Sequence, residues 1–233
     1  MMTIGFDFIS DLNLLPDEEL NWEDKATSLY CIIAGNISHD LTVLKQSLSH
    51  LSKCYQGVFY IPGSLEFSDK HGTFTKIKQI KEIVDGIKNA VLLHNHVVIV
   101  DGIAIVGING WALEQSNTLT LDKIIHETHR NEDLIYLMST IDRLQLHGDV
   151  KKIIVVSHAV PRTELLFNEV PDIYNDFLPL VIALGKDKEK KVSNWIFGTQ
   201  TKMVDIDIDG VNYTNNVYLK NTPYWPKRIA IEI

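Results

Sequence analysis

Cysteine is scarce. The 233 residues hold two, Cys31 and Cys54. Two thiols without close spacing build neither a zinc site nor a disulfide framework. Cys31 lies in an apolar run and reads as buried. No apolar run approaches the ~20 residues that span a bilayer, so no membrane association is expected. The N-terminus lacks a basic segment followed by an apolar one, so no signal peptide is expected either, and a reducing, cytoplasmic setting follows. Excess positive charge is also missing. Twenty-two Lys and Arg face 30 Asp and Glu, for a net charge of −8. An acidic surface repels nucleic acid and anionic lipid. The one dense basic run, "KDKEKK" at 186–191, is mixed in sign and reads as a solvated loop. Repeats and low-complexity segments are absent.

What is present is an alternation of strand-like and helix-like segments. "IGFDFIS" (4–10) alternates apolar and polar residues. "LYCIIAG" (29–35), "GVFYIPG" (57–63), "KKIIVVSH" (151–158) and "NWIFG" (194–198) are continuous apolar runs, as expected of strands buried on both faces. Leu41, Leu44, Leu48 and Leu51 are spaced for one face of a helix over 38–54. Phe74, Ile77, Ile80, Val84 and Ile87 do the same over 73–88. Helices are also expected over about 119–147 and over 172–184. Asp101-Gly102 and Asp209-Gly210 each sit between strand-like runs and signal hairpins. "RIAIEI" closes the chain as a strand. With 45% hydrophobic residues the chain can bury a sizeable core, and it is read as one domain over 1–233.

In α/β sheets, ligands gather at the carboxyl ends of strands. The loops after residues 10, 35, 63, 157 and 198 should therefore converge on one rim: "SDLNL", "AGNIS", "PGSLEF", "VVSHAVP" and "FGTQT". In this order and spacing they resemble the motifs of the calcineurin-like metallophosphoesterases, D-x-H, G-D, G-N-H-D/E, a lone His after a strand, and G-H-x-H. "VVIVDGIAIVGINGWAL" resembles the hairpin and Trp segment of the same family. The resemblance covers about residues 4–233. It implies a sandwich of two mixed β-sheets flanked by helices.

The resemblance also implies two-metal phosphoester hydrolysis, which needs carboxylates and imidazoles, one carboxylate bridging two cations. Residue by residue, this chain departs from that set. Asp11 matches the first aspartate, but Asn13 stands in place of the histidine. Asn36 replaces the bridging aspartate. Ser64 and Leu65 replace an asparagine and a histidine, and Glu66 follows as in the family, where it serves the fold. His158 matches the lone histidine. Thr199 and Thr201 flank Gln200 where two histidines belong. A neutral Asn, Ser and Thr shell does not offset the cost of dehydrating two dications. The expected rim is thus Asp11, Asn13, Asn36, Ser64, Leu65, His158, Thr199 and Thr201. A residual site would hold one Mn2+ or Zn2+ on Asp11, His158 and Asn36; otherwise no cofactor is expected.

Other candidates have plainer readings. His39 and Asp40 could add to a metal near Asp11, but Ser38 or Asp40 suits a helix cap. His94 and His96 form an H-x-H on one strand face, and His126 and His129 lie one helical turn apart, a spacing that can hold zinc; connection and solvated face are the simpler readings. Trp111, Trp195 and Trp225 read as core. Arg162, Lys202, Lys227 and Arg228 could line an anion-binding rim. Residues 112–150 could form a lid or a partner surface. The expected function is a pseudophosphoesterase that binds a protein or a phosphorylated ligand. The alternatives are a weak single-metal hydrolase and a structural or assembly subunit, with an oligomer possible.

Overall fold

The computed structural model describes residues 2–67, 73–111, 113–114, 121–166, 173–174, 190–199, 202–218 and 224–233. In chain order the elements are β1 (Thr3–Ile9), β2 (Tyr30–Ala34), α1 (Leu41–Cys54), β3 (Gly57–Ile61), a 3-10 turn (Leu65–Phe67), α2 (Thr73–Asp85), β4 (Ala90–Leu92), β5 (His96–Val100), β6 (Ile103–Ile108), β7 (Leu113–Glu114), α3 (Leu121–Leu146), β8 (Lys152–Ser157), a second 3-10 turn (Thr163–Leu166), β9 (Ile173–Tyr174), β10 (Val192–Phe197), β11 (Asp205–Ile208), β12 (Val211–Asn215) and β13 (Lys227–Glu232).

Two mixed sheets form a sandwich. One runs β13-β1-β2-β3-β4 and the other β11-β12-β10-β8-β6-β5. The central strands β1, β2 and β3 are mutually parallel, as are β6, β8, β10 and β12. The largely apolar sequences of β2, β3, β6 and β8 suit burial on both faces. Between the sheets, Phe6, Phe8, Ile32 and Phe59 of one face Ile105, Ile154, Val156 and Ile196 of the other. On the outer face of the first sheet, Leu44, Leu48 and Leu51 of α1 and Ile80 and Val84 of α2 pack beneath β2 and β3. On the outer face of the second, Leu137, Ile141 and Leu144 of α3 cover β6, β8 and β10. Each helix closes a sheet face that would otherwise leave its apolar side chains in water.

The hairpins form as their turn chemistry requires. Asp101-Gly102 links β5 to β6, and Asp209-Gly210 links β11 to β12, with positive φ at all four residues. Several expectations shift. The first helix starts at Leu41, because Asp40 is its N-cap and accepts from the Thr42 and Val43 amides; that carboxylate serves the cap and not a metal. Trp225 is 56% exposed, while Trp111 and Trp195 are buried. Trp225 precedes the edge strand β13. Residues 173–174 form a short strand paired with β7, where a helix was expected; residues 175–184 of that expected helix lie outside the described residues, as does most of the 186–191 run.

Candidate functional site

The parallel strands of both sheets deliver their carboxyl ends to one place. Asp11 follows β1, Gly35 and Asn36 follow β2, and Gly63 follows β3. From the second sheet come Asn109 after β6, His158 after β8 and Thr199 after β10. Six of the eight expected rim positions converge as the motif spacing implies: Asp11, Asn13, Asn36, Leu65, His158 and Thr199 are joined by hydrogen bonds. Ser64 is exposed on the same loop. Thr201, with Gln200, lies outside the described residues.

Three glycines make the close approach possible. A Cβ on Gly35 would collide with the His158 ring, and one on Gly63 with the Asn36 amide. A Cβ on Gly198 would collide with the Ala34 carbonyl and sit 2.8 Å from His158 Nδ1 and 3.1 Å from Asp11 Oδ2. The side chains of Asn36, Asp11 and His158 therefore occupy the space that larger residues at these strand ends would fill. All three are nearly buried.

Asp11, Asn36, His158 and Thr199 are linked by hydrogen bonds. The Asn36 Nδ2 donates to Asp11 Oδ1 at 2.8 Å, and its Oδ1 accepts from the Leu65 amide at 2.8 Å. The second Asp11 oxygen accepts from the Thr199 amide at 3.1 Å. Asn13 donates from Nδ2 to the Asp11 carbonyl at 2.7 Å. His158 Nδ1 lies 2.8 Å from the Ala34 carbonyl. A carbonyl only accepts, so Nδ1 carries a hydrogen. The other ring nitrogen meets Thr199 Oγ1 at 2.6 Å, and that hydroxyl also lies 3.0 Å from the His158 carbonyl. A neutral ring takes the hydroxyl proton on Nε2. A protonated ring donates from Nε2 and sends the hydroxyl proton to the carbonyl. Both states leave the ring paired.

The backbone at these positions is strained. Asp11, Asn13, Asn36 and Thr199 have φ of 56°, 49°, 57° and 54°. Asn and Asp tolerate this left-handed region, but a β-branched threonine rarely does. Such strain persists only where surrounding contacts impose it.

Glu66 is the staple behind the cluster. It is fully buried, and its carboxyl accepts from the amides of Asn36, Ile37, Ser38 and Gly63. Burial pushes its pKa up; hydrogen bonds from Gly63, Ile37 and Asn36 and the nearby His158 oppose this. Four converging N–H groups favour the ionised form. Asn109 does a matching task that its sequence did not signal. Its Nδ2 donates to the Pro62 carbonyl at 2.6 Å, and its carbonyl accepts from the His158 and Ala159 amides.

The remaining candidates separate. His126 and His129 lie against Trp111 at ring distances of 5.4 and 5.1 Å, and Phe67 lies 4.8 Å from the same indole. Below them, Asp133 of α3 is 1% exposed and accepts from the Gly110 amide at 2.7 Å. Among the described residues its other oxygen, Trp111 Nε1, His94 Nδ1 and Asn95 Oδ1 are buried without a hydrogen-bond partner of good geometry, although the Asn95 side chain lies near enough to the carboxyl to favour its charged form. Burial pushes the Asp133 carboxyl up to about 6 and the His94 imidazole down to about 4. His94 belongs to the turn before β5, and His96 is exposed at its start, so the two do not form a ligand pair on one strand. The four cations do not form a rim. Arg162 is held by Glu164 at 2.9 Å and Asp209 at 3.3 Å, and Lys227 by Asp205 at 2.8 Å. Arg228 sits opposite Asp7 in the β1–β13 ladder, away from the strand ends, and Lys202 is exposed beside β11. Among the described residues, no three His, Cys, Asp or Glu side chains are grouped to hold a metal ion. No helix among them is long and apolar enough to cross a membrane.

A cleft of about 350 Å3 opens beside Asn13, lined by Leu12, Leu14, Glu18, Glu19, Tyr218 and Tyr224. A larger one, about 770 Å3, lies away from the strand ends between residues 18–23 and α1.

No protein-family model matches the chain. An uncharacterised protein of Acanthamoeba polyphaga mimivirus is 21% identical over 159 residues, 57% of this chain and 55% of that protein, so the match spans about half of the relative's length. Among solved structures, phosphopantetheinyl hydrolase from Mycobacterium tuberculosis superposes with a TM-score of 0.66 at 13% identity, covering 96% of this chain and 95% of that one. A candidate 5′-nucleotidase from Staphylococcus aureus gives 0.57 at 12% identity, over 99% of this chain and 51% of that one. GAP50, the anchor in the inner membrane complex of Plasmodium, gives 0.56 at 13%, over 91% and 71%. The fold of this chain is the metallophosphoesterase-like sandwich of two mixed sheets.

Proposed function

We propose that this chain is a phosphoesterase-fold protein whose strand-end site has become a structural hydrogen-bond network, and that it works by binding a partner protein. One observation carries the reading: the amide of Asn36 bridges Asp11 and the Leu65 backbone. A dinuclear centre needs an anion at that position to hold two cations together. An amide nitrogen aimed at Asp11 instead satisfies the carboxylate as a cation would. The donor set does not fit such a centre, because Asp11 and His158 already spend their atoms on Asn36, Thr199 and Ala34. A phosphorylated ligand has weaker support than a protein, since Arg162 and Lys227 are paired with carboxylates. The acidic, tyrosine-lined cleft beside Asn13 suits a basic protein segment better than a phosphate.

The test is Mn2+ titration calorimetry on metal-stripped protein, repeated with Asp11→Ala. No saturable heat is expected up to about 1 mM Mn2+. Binding near 1 µM that disappears in Asp11→Ala, together with phosphoester turnover, would overturn the reading. The second reading is a weak single-metal hydrolase on Asp11, Asn36 and His158. It is favoured by the left-handed backbone kept at Asp11, Asn36 and Thr199, which is strain of the kind functional sites store. The third is a structural or assembly subunit, supported by the likeness of the fold to GAP50, the anchor in the inner membrane complex of Plasmodium.

A further inference from the structure

Residues 11–29 join β1 to β2 without helix or strand. Leu20 and Trp22 pin this strap into the core that α1 closes. Around those anchors the strap is acidic: Asp17, Glu18, Glu19, Glu23 and Asp24 are all exposed. Among the described residues none of these carboxylates forms an ion pair. Glu18 and Glu19 line both clefts, the one beside Asn13 with its floor of Leu12, Leu14, Tyr218 and Tyr224, and the larger one along α1. The two clefts share these residues, so they adjoin and form one groove.

A cation already sits at the edge of this groove, and it is the chain's own. The Lys25 ammonium lies 3.9 Å from the centre of the Tyr224 ring, 5.8 Å from that of Trp225 and 6.0 Å from that of Trp22. It donates to the Asn21 carbonyl at 2.6 Å. The negative face of an aromatic ring attracts a cation at such distances. Lys25 pairs with none of the strap carboxylates, and burial pulls its pKa down. Rings and a carbonyl hold the ammonium, and the carboxylates stay free. Trp225 is 56% exposed, so this subsite opens to solvent.

We propose that the groove holds an extended, lysine-bearing segment of the partner protein, with one of its ammonium groups displacing Lys25 from the three rings. This rests on the partner-binding reading above and adds the chemistry of the partner. Unpaired carboxylates over an apolar, tyrosine-lined floor call for an occupant of opposite charge. An extended segment turns alternate side chains to one side, so lysines at every second position face Glu18, Glu19 and Glu23. Lys45 and Lys53 line the α1 wall of the larger cleft, which keeps the segment's cations on the strap side. Lys25 is then a built-in competitor. A subsite filled by the chain's own lysine weakens the apparent affinity in proportion to the fraction of molecules in which it is open.

The test is fluorescence anisotropy of a labelled Ser-Lys-Ser-Lys-Ser-Lys peptide with the full chain at low salt. A Kd of about 10–100 µM is expected. Lys25→Met keeps the apolar stem and removes the ammonium, and should tighten binding about threefold or more. Glu18→Gln with Glu19→Gln should weaken it about tenfold; a glutamine at 18 still accepts from the Leu15 amide. Trp225→Ala should weaken it about threefold. Asp142→Asn with Asp149→Asn removes the same charge on the α3 side of the sandwich, and should change it by no more than about twofold. Unchanged urea unfolding curves check that each variant folds. No binding up to about 1 mM peptide would overturn the proposal. So would equal losses from the two charge-neutralised pairs, the mark of general attraction to an acidic chain. Lys25→Met that weakens binding or leaves it unchanged would show a purely structural lysine and overturn it as well. Tetramethylammonium binding as tightly as the peptide would replace the segment with a small ammonium ligand. Peptide failure without Mn2+ heat refutes this assignment alone, whereas Mn2+ bound through Asp11 with turnover refutes the partner-binding reading itself, whatever the peptide does.

Discussion

Asp133 and His94 should impose opposite pH dependences on stability within one window. Asp133 titrates at about 6 in place of 3.8, chiefly through burial, with the Gly110 amide, Asn95 and His129 opposing. His94 titrates at about 4 in place of 6.5, through burial first and the neighbouring His129 second, with Glu132 opposing. For Asp133 the folded state holds its proton more tightly than the unfolded chain. Its contribution to stability is therefore full below about pH 4 and is lost as pH rises through about 6. For His94 the unfolded chain holds the proton more tightly. Its contribution is full above about pH 6.5 and is lost as pH falls through about 4. At about 1.36 kcal/mol per pKa unit, each limb is worth about 3 kcal/mol. They overlap and nearly cancel.

Substitution should separate the two limbs. In Asp133→Asn the amide can keep the Gly110 bond and offer its nitrogen to the unpartnered Asn95 Oδ1. At pH 7 this variant should be more stable than the parent by about 1–3 kcal/mol, because a buried charge has been removed. At about pH 4 the gain should vanish, since the parent's carboxyl is then neutral too. His94→Gln should show the reverse trend, its stability relative to the parent rising as pH falls from about 6.5 to 4, because the cost of charging the buried imidazole is removed. The measurement is urea unfolding at several pH values, followed by tryptophan fluorescence, with each variant subtracted from the parent so that other carboxylates cancel. A difference curve for Asp133→Asn that is flat in pH, or a variant less stable than the parent by the same amount throughout, would refute the reasoning.

Four further outcomes follow from the strand-end cluster. Glu66→Ala should cost at least about 3 kcal/mol in urea unfolding, because four buried amides lose their acceptor. Gly198→Ala should cost more than about 2 kcal/mol, since its Cβ meets backbone at Ala34 that cannot swing aside. Thr199→Gly should stay within about 1 kcal/mol of the parent, as relief of the left-handed threonine offsets the lost bond to His158. Asn36→Asp should destabilise by about 2 kcal/mol or more without metal, by setting a second carboxylate against Asp11, and added Mn2+ should reverse the loss.

The sheets were legible because their signals are local. Continuous β-branched runs ending in Gly or Ser at residues 35, 63, 157 and 198 mark buried parallel strands, and the two Asp-Gly turns fix the hairpins. The convergence of Asp11, Asn36, His158 and Thr199 was legible from motif order. The partners inside the cluster were not. Which way the Asn36 amide points, and that Asn109 braces Pro62, depend on atoms brought together from strands far apart in the chain. Trp225 reads as core from its residue type alone, since Trp is highly buried on average. Whether an edge strand has a neighbour on its outer side is a matter of topology, which no window of sequence contains. The Asp133 and His94 pair was missed for a related reason: burial of a polar group by helix α3 against the β4–β5 turn leaves no period in either segment.

The physical logic of the strand-end cluster turns on one atom. An aspartate and an asparagine have nearly the same shape, so a backbone bent to present one presents the other without rearrangement. Two carboxylates at hydrogen-bond distance repel and require a cation between them. A carboxylate facing an amide N–H requires nothing. On the proposed function, the loop after β2 holds its glycine, its left-handed turn and its bonds to Glu66 with no metal required. At His158 the Thr199 hydroxyl, 2.6 Å from Nε2, occupies the ring nitrogen that a metal would otherwise need. The strain in the loops is retained because the Glu66 staple and the three glycines impose it from beneath. It does not depend on what the rim binds.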